Sequence, residues 1–244
     1  MKVNVHDLTY IFLLLSFLSG YFEYMYLFLL IIFIHESGHY FFSKIIGFKY
    51  SEIIIYPFGG LTLYNEDLNV NTNKELFSLL GGIIFQLLFY LLVLRLFNLG
   101  YITIHVFNII KRINFILISF NFMPILPLDG GKLINIMLDK IFSYKLSNIV
   151  SIIISIIFII IFIIFDRSIF GIVLSIFLIK CIYLEIINIK YKFNKFILER
   201  YLNNYNFKKI RIVNSINKFK RDHIHIINNE LESTFLNKLF DRKY

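Results

Sequence analysis

Long apolar runs dominate the chain, and their spacing predicts a bundle of membrane helices. A helix needs about 20 mostly apolar residues to cross the roughly 30 Å hydrocarbon core of a bilayer. The first segment lacks an A-x-A-like cleavage site, so we interpret it as a retained helix, not a signal peptide. The pattern predicts an all-α polytopic membrane protein with six transmembrane helices. The apolar segments lie at about residues 8–20, 25–47, 76–98, 101–127, 148–165 and 168–189.

The fourth apolar segment departs from the simple pattern. Lys111 and Arg112 lie inside it, and Pro124 and Pro127 interrupt its far end. Two interpretations remain open: an amphipathic stretch that enters the membrane near Ile113, or one long tilted helix with its charges near the surface. Either way, proline-broken backbone at membrane depth is tolerated only where protein or a water-filled cavity covers it. The end of this segment is therefore a candidate site.

Composition and charge agree with a membrane protein and suggest an orientation. Of 244 residues, 58% are hydrophobic and 17% are charged, against about 25% charged in a typical soluble domain. Residues 190–244 hold 13 Lys and Arg but only 5 Asp and Glu. Basic flanks favour the cytoplasmic side, which predicts cytoplasmic loops at 48–75 and 128–147 and a small cytoplasmic tail. Arg95, Lys111 and Arg112 oppose this rule.

The basic tail defines the predicted domain boundary. We expect a transmembrane domain at 1–190 and a basic cytoplasmic tail at 191–244. The basic residues suit anionic membrane lipids, so we expect no nucleic-acid partner. His223 and His225 are predicted on a strand at the surface of this tail.

The first chemical motif lies in the second apolar segment. His35-Glu36-Ser37-Gly38-His39 has the H-E-x-x-H spacing, which places two imidazoles one helical turn apart on the same face. Such a pair reaches a single metal ion, and the glutamate beside it is placed to hold a water. Ionisable side chains inside a membrane helix are costly and usually functional. The alternative is a structural polar face with histidines hydrogen-bonded across the bundle.

The second motif follows the broken fourth segment. A catalytic zinc takes three protein ligands and keeps one open position, so a third ligand is expected besides the two histidines. Asp129 is the candidate, because two prolines break the helix before it and two glycines after it let the backbone bend. The alternative is an ordinary loop. The motif reads Asn121-x-x-Pro124-x-x-Pro127-Leu128-Asp129-Gly130-Gly131.

Together the two motifs resemble those of the site-2 protease family of intramembrane metalloproteases. The resemblance implies that His35, His39 and Asp129 bind one zinc ion and that Glu36 activates the attacking water. It also implies that Asn121 helps to hold the reacting peptide. The similarity covers about residues 8–190.

A loop between the second and third segments supports this assignment. Three isoleucines followed by Pro57-x-Gly59-Gly60 predict a strand and a tight turn. In the resembled family this position forms a short membrane-dipping β-loop, whose strand edge could pair with an unwound substrate. A plain loop is the alternative. The predicted substrate-binding residues are Pro57, Gly59, Gly60, Pro124 and Pro127.

The compact layout resembles the sporulation branch of the family, the stage IV sporulation protein FB type. That likeness implies hydrolysis of a membrane-associated protein, the precursor of a late sporulation sigma factor, at a site open to the cytoplasm. It also implies membrane inhibitor or activator proteins as partners. The tail is too short for a pair of CBS motifs, and a reduced CBS-like module is one interpretation. A non-catalytic membrane scaffold and a metal-ion transporter are the alternative functions.

Overall fold

The computed structural model describes residues 3–48, 50–56, 59–64, 68–203 and 205–241. Contacts divide the chain into two units: the first comprises Met1–Glu66 and Leu76–Asn121, and the second comprises Asp67–Glu75 and Phe122–Tyr244. The described helices are α1 (Asp7–Leu18), α2 (Phe22–Ile45), α3 (Thr72–Asn98), α4 (Ile104–Asn121), α5 (Asp129–Ile141), α6 (Tyr144–Phe165), α7 (Ile169–Leu202) and α8 (Glu232–Asp241). The strands are β1 (Val3–Val5), β2 (Tyr50–Tyr56), β3 (Gly59–Tyr64), β4 (Lys209–Val213), β5 (His223–Ile227) and β6 (Glu230–Leu231).

Helix α2 is the central element of the first unit. It packs against α1, α4 and the hairpin strands β2 and β3. The apolar residues on one side of α2 join those of α3 and α4 in a buried cluster that includes Ile31, Ile32, Val93, Phe107 and Leu117. Large apolar side chains elsewhere on these helices remain exposed, as a lipid-facing surface requires.

The predicted strand between the second and third segments is confirmed and belongs to a three-stranded sheet. β2 pairs antiparallel with β3, and β1 adds to the other side of β2 in parallel. The start of α1 is attached to the same strand, because the Thr9 hydroxyl and the His6 N–H both donate to the Ile55 carbonyl, at 2.9 and 3.0 Å. The sequence pattern did not predict β1. Pro57, a predicted substrate-binding residue, lies outside the described residues.

Helices α1, α2 and α3 end in the same way, at glycines with positive φ. At the end of α2, Gly47 has φ +82°, its N–H donates to the Lys44 carbonyl, and the Phe48 N–H donates to the Ser43 carbonyl. This is a Schellman ending, which favours glycine because the left-handed backbone disfavours a Cβ. Gly20 and Gly100 end α1 and α3 likewise. The glycines thus set the lengths of these helices.

Four of the described helices are long and apolar enough to cross a membrane: α2, α3, α6 and α7. Helix α1 has only 12 residues, or about 18 Å, which is short of the roughly 30 Å core. Helix α4 runs unbroken from Ile104 to Asn121 through Lys111 and Arg112. The protein is therefore an integral membrane protein, and the count of six spans stays a prediction.

The second unit contains a helix where the sequence predicted a loop. Residues 128–147 were expected to connect two spans, but Asp129–Ile141 form α5, which packs against α6. The Asp-Gly-Gly start looked like a turn, yet it forms the first helical turn, with an acid at the favourable amino-terminal end. The predicted hairpin of the last two apolar segments is confirmed, because α6 and α7 pack together on either side of a turn at 166–168.

The tail forms a small β-sheet module at the end of α7. β4 pairs parallel with β5, β5 pairs antiparallel with β6, and α8 packs on β5. The module shares a buried core with the last turns of α7, including Phe196, Phe219 and Leu236. The predicted boundary at 190/191 falls inside α7. The division into 1–190 and 191–244 and the CBS-like interpretation stay predictions.

The expectation that the tail histidines lie at the surface is wrong for His225. The predicted strand is present as β5, but His225 is 0% exposed. Its Nε2 accepts from the Lys220 N–H at 2.9 Å, so its Nδ1 carries the proton that is donated to the Glu232 carboxylate, also at 2.9 Å. Burial lowers the pKa of His225, which suits this neutral, internally bonded ring. The many basic residues around His225 indicated an exposed segment, so its burial was not predicted.

Buried polar contacts attach the tail to α5 and to the start of α3, all within the second unit. The Arg221 guanidinium lies 3.0 Å from the Asp139 carboxylate and 2.6 Å from that of Glu75. The Asp222 carboxylate accepts from the Thr72 N–H and hydroxyl, which caps the first turn of α3. Burial raises the pKa of Asp139 to about 6, while Arg221 opposes that rise.

Candidate metal centre

The two histidines of the first motif point their Nε2 atoms at each other. Helix α2 places His35 and His39 one turn apart, and their Nε2 atoms are 3.1 Å apart with both side chains buried. Two ligand nitrogens at about 2.0–2.1 Å from one tetrahedral zinc would be roughly 3.3 Å apart. The observed spacing is therefore close to that of two ligands on a single ion.

The protonation of His39 agrees with a metal ligand. Its Nδ1 lies 3.1 Å from the Ser78 carbonyl oxygen, and a carbonyl only accepts, so Nδ1 carries the proton. The Nε2 atom then presents a lone pair toward His35. A cation between two such nitrogens would remove their mutual repulsion, so the donor set fits Zn²⁺, which prefers imidazole nitrogen. The side chains of His35, Glu36 and His39 each offer a ligand atom within 4.8 Å of the others.

Glu36 lies beside the histidine pair and under the β-hairpin. It is buried, and Gly60 of β3 is so close that a Cβ there would lie 2.6 Å from the Glu36 carboxyl carbon. The hairpin therefore reaches the predicted catalytic carboxylate. Gly59, by contrast, has open space where a Cβ would stand. The structure places Gly60 at the centre; the substrate-binding role of both glycines stays a prediction.

A glycine pair in α3 makes room for the imidazoles. A Cβ on Gly82 would lie 2.4 Å from His39 Nε2 and 2.8 Å from His35 Cε1. One residue earlier, a Cβ on Gly81 would lie 2.5 Å from the Gly38 carbonyl oxygen, so the two helix backbones almost touch. The sequence motifs did not point to this pair. The available signal was two consecutive glycines inside an apolar helix, which commonly mark close helix packing.

Asn121 is brought to the same place by the end of α4. Its Nδ2 atom lies 3.4 Å from His35 Nε2. The first unit thus gathers His35, Glu36, His39 and Asn121 from two helices that are far apart in sequence. The metal-binding and catalytic roles of these four residues stay predictions.

Asp129 belongs to the second unit and is held by tight backbone packing. It is 8% exposed and begins α5, with Lys132 Nζ 3.6 Å from its carboxylate. A Cβ on Gly130 would lie 2.3 Å from the Phe122 carbonyl oxygen, and one on Gly131 would lie 2.5 Å from the Ile125 carbonyl carbon. The glycines therefore permit close packing of the preceding loop and do not act as a bend. The role of Asp129 as third ligand stays a prediction.

Pro124 and Pro127 lie in the loop that connects α4 to α5. This loop is attached to α6, because the Leu126 N–H donates to the Ser155 hydroxyl at 2.9 Å. A fixed loop at this point gives Asp129 a defined position at the start of α5. A substrate contact for the two prolines stays a prediction.

Comparison with known proteins identifies the class. The model of Peptidase family M50 matches residues 94–165, a stretch that contains the second motif. The His–Glu–His group, the long apolar helices and this match indicate an integral membrane metalloendopeptidase, and its motifs are similar to those of the site-2 protease type. The resemblance predicted from the motifs is thereby confirmed.

Individual relatives agree with this class. Stage IV sporulation protein FB of Bacillus subtilis is 25% identical over 206 residues, which cover 82% of this chain and 72% of that protein. Zinc metalloprotease MJ0392 of Methanocaldococcus jannaschii is 26% identical over 123 residues, or 48% of this chain and 35% of that protein. The solved site-2 protease from the same archaeon shares the fold, with a TM-score of 0.61 and 22% identity over 75% of this chain and 89% of that one.

Proposed function

We propose that this protein cleaves a membrane-associated protein by using one zinc ion bound by His35, His39 and Asp129. The observation that carries the proposal is the pair of facing Nε2 atoms, 3.1 Å apart, with a buried glutamate beside them. Asp129 is proposed as the third ligand from its motif and because a catalytic zinc takes three protein ligands.

The catalytic roles follow from the chemistry of each side chain. Zinc, when bound, supplies Lewis acidity that polarises a carbonyl and lowers the pKa of water toward about 7. The Glu36 carboxylate takes the proton of the attacking water and passes it to the leaving amine. The Asn121 amide donates a hydrogen bond to the oxygen on which negative charge develops. Burial of Glu36 and of both histidines limits competing contact with bulk water.

The β-hairpin supports binding of an extended substrate. β3 pairs with β2 along one edge, and we propose that an unwound peptide adds along the other, as strands do in β-augmentation. The contact of Gly60 with Glu36 supports this, because it brings β3 next to the proposed base. Pro57, Gly59, Pro124 and Pro127 are proposed as further substrate contacts.

The proposed substrate is the precursor of a late sporulation sigma factor. The support is the likeness to a sporulation protein, at 25% identity over 82% of this chain. On the same basis we propose membrane-embedded inhibitor or activator proteins as partners. The proposed orientation, with the centre open to the cytoplasm and the tail cytoplasmic among anionic lipids, is supported by the basic residues at 190–244.

The test is cleavage of the sigma precursor by the Glu36→Gln variant in coexpression. The amide cannot accept the proton from water, so we expect no cleaved product while the purified variant keeps its zinc. Glu23→Gln is the matched control, because Glu23 lies on the same helix and is exposed. Normal processing by Glu36→Gln would refute the mechanism.

Zinc content and zinc transport, measured on the same variants, separate the alternatives. A scaffold would leave the wild-type chain without cleavage activity on any membrane-associated substrate and without bound zinc. A transporter would move zinc into proteoliposomes whether or not position 36 is glutamate. If zinc-loaded wild-type protein cleaves other membrane proteins but not the sigma precursor, only the substrate assignment fails.

A further inference from the structure

Gln86 is a buried polar residue that the proposed mechanism does not use. It lies in the apolar helix α3 and is 0% exposed. An amide at this depth requires internal hydrogen bonds, because the lipid offers none. The role of Gln86 can therefore be inferred from its hydrogen-bond partners.

The two contacts of Gln86 fix the orientation of its amide. Its Nε2 lies 3.3 Å from the main-chain carbonyl oxygen of Asn114 in α4, which can only accept a hydrogen bond. The NH₂ group must therefore face Asn114, and the Oε1 atom faces His35 Nδ1 at 3.0 Å. An amide oxygen only accepts, so the His35 Nδ1 must carry a proton.

This proton position determines which nitrogen of His35 is available. With Nδ1 protonated, the neutral ring presents the lone pair of Nε2, the atom that faces His39 Nε2. The Ser78 carbonyl does the same for His39 through the main chain. The His35 ring thus relies on a side chain for this arrangement, and the His39 ring on a main-chain carbonyl.

We propose that Gln86 is a positioning residue, which fixes the tautomer and ring orientation of His35 so that Nε2 is open to zinc. Groups that accept from the outer nitrogen of a metal-bound histidine typically change metal affinity 10- to 100-fold when removed. The inference rests on the proposed zinc site, and the zinc content of the wild-type protein tests that site separately.

Two substitutions separate hydrogen bonding from packing. Gln86→Met keeps the length of the side chain but removes the acceptor. Gln86→Glu also keeps the length and retains an acceptor oxygen whether its carboxyl group is ionised or protonated. We expect Gln86→Met to bind Zn²⁺ about 10- to 100-fold more weakly than wild type, and Gln86→Glu to stay within about threefold. The measurement is competition for Zn²⁺ against a chromogenic chelator with detergent-purified protein.

Each outcome bears on the proposal. Equal affinity of Gln86→Met and wild type would overturn it, and so would an equal loss in both variants, since that indicates packing alone. If the wild-type chain binds no zinc, the proposed function fails first. Should Gln86→Met not fold, imidazole ¹⁵N NMR of the wild-type protein decides, with His35 assigned by substitution. The Nδ1–H tautomer supports the proposal, and the Nε2–H tautomer in zinc-free protein overturns it.

Discussion

At the scale of single residues, the space beside the two imidazoles depends on glycine at position 82. Both rings point toward this position on α3, and a Cβ would overlap with His39 Nε2. The His39 ring cannot turn away freely, because its other nitrogen bonds to the Ser78 carbonyl. The two histidines can therefore adopt this arrangement only because position 82 has no side chain.

The Gly82→Ala variant should lose zinc. The added methyl group displaces His39 from its bond to Ser78, so we expect Zn²⁺ affinity to fall about 10- to 100-fold, as when orienting contacts of metal ligands are lost. Chelator competition on the purified variant measures this. Gly59→Ala is the matched control for zinc content, because a Cβ there meets open space. Full zinc affinity in Gly82→Ala would contradict the crowding argument.

The sequence revealed the residues with distinctive chemistry and missed those that support them. His35, Glu36 and His39 stood out because charged and ligating side chains are rare in apolar segments. Gln86 and Gly82 carry no such signal alone, since their roles depend on which neighbouring helix they face. That pairing depends on three-dimensional packing, which hydrophobic periodicity does not specify.

At the scale of elements, the β-hairpin and α2 meet through Gly60 and Glu36. A strand was predictable from the three isoleucines, but its contact with the Glu36 carboxylate, the proposed general base, was not. Helix α5 was missed for a related reason, because its Asp-Gly-Gly start resembles a turn. Its glycines instead accommodate the main chain of Phe122 and Ile125.

The Gly60→Ala variant should keep zinc and lose activity. A methyl group there pushes on the Glu36 carboxylate and leaves the histidine nitrogens with their own partners. A displacement of about 1 Å can cost roughly 100-fold in rate, so we expect a loss of kcat of that order. Single-turnover cleavage and zinc content are the two measurements. Loss of zinc together with activity would show that the hairpin supports the metal site instead.

At the scale of the whole molecule, the tail is a structural part of the second unit. Arg221 joins Asp139 of α5 and Glu75 of α3, and its own pKa is raised, since these carboxylates outweigh the effect of burial. The sequence indicated only a basic extension. The buried ion pairs of the tail could not be predicted, because the net charge of a segment does not show which of its charged side chains are buried.

The Arg221→Met variant should be destabilised more at high pH than at low pH. Arg221 holds the pKa of Asp139 below what burial alone would give, so without it the folded state binds that proton more tightly. The unfolded state releases it near the ordinary aspartate pKa of 3.8, and the stability of the variant therefore falls as pH rises through the raised pKa of the folded state. Breaking a buried pair costs about 3–5 kcal/mol, and we expect the full loss near pH 8 and a smaller one near pH 5.

Thermal unfolding of wild type and Arg221→Met across that pH range provides the measurement. Lys238→Met is the control, because its ion pair with Glu230 is exposed and should contribute less than about 1 kcal/mol. A pH-independent difference between wild type and Arg221→Met would show that Asp139 does not titrate in the variant.

The contacts of residues 68–75 also bear on the order of events during synthesis. Asn69 bonds to the Phe196 carbonyl and Thr72 to Asp222, across 127 and 150 residues of chain. During translation, the first turn of α3 is therefore synthesised long before its hydrogen-bond partners, Phe196 and Asp222. Until those late residues emerge, the helix that carries Gly82 and Gln86 lacks its amino-terminal anchor. A nascent chain thus acquires the anchor of this helix only after Phe196 and Asp222 have been synthesised.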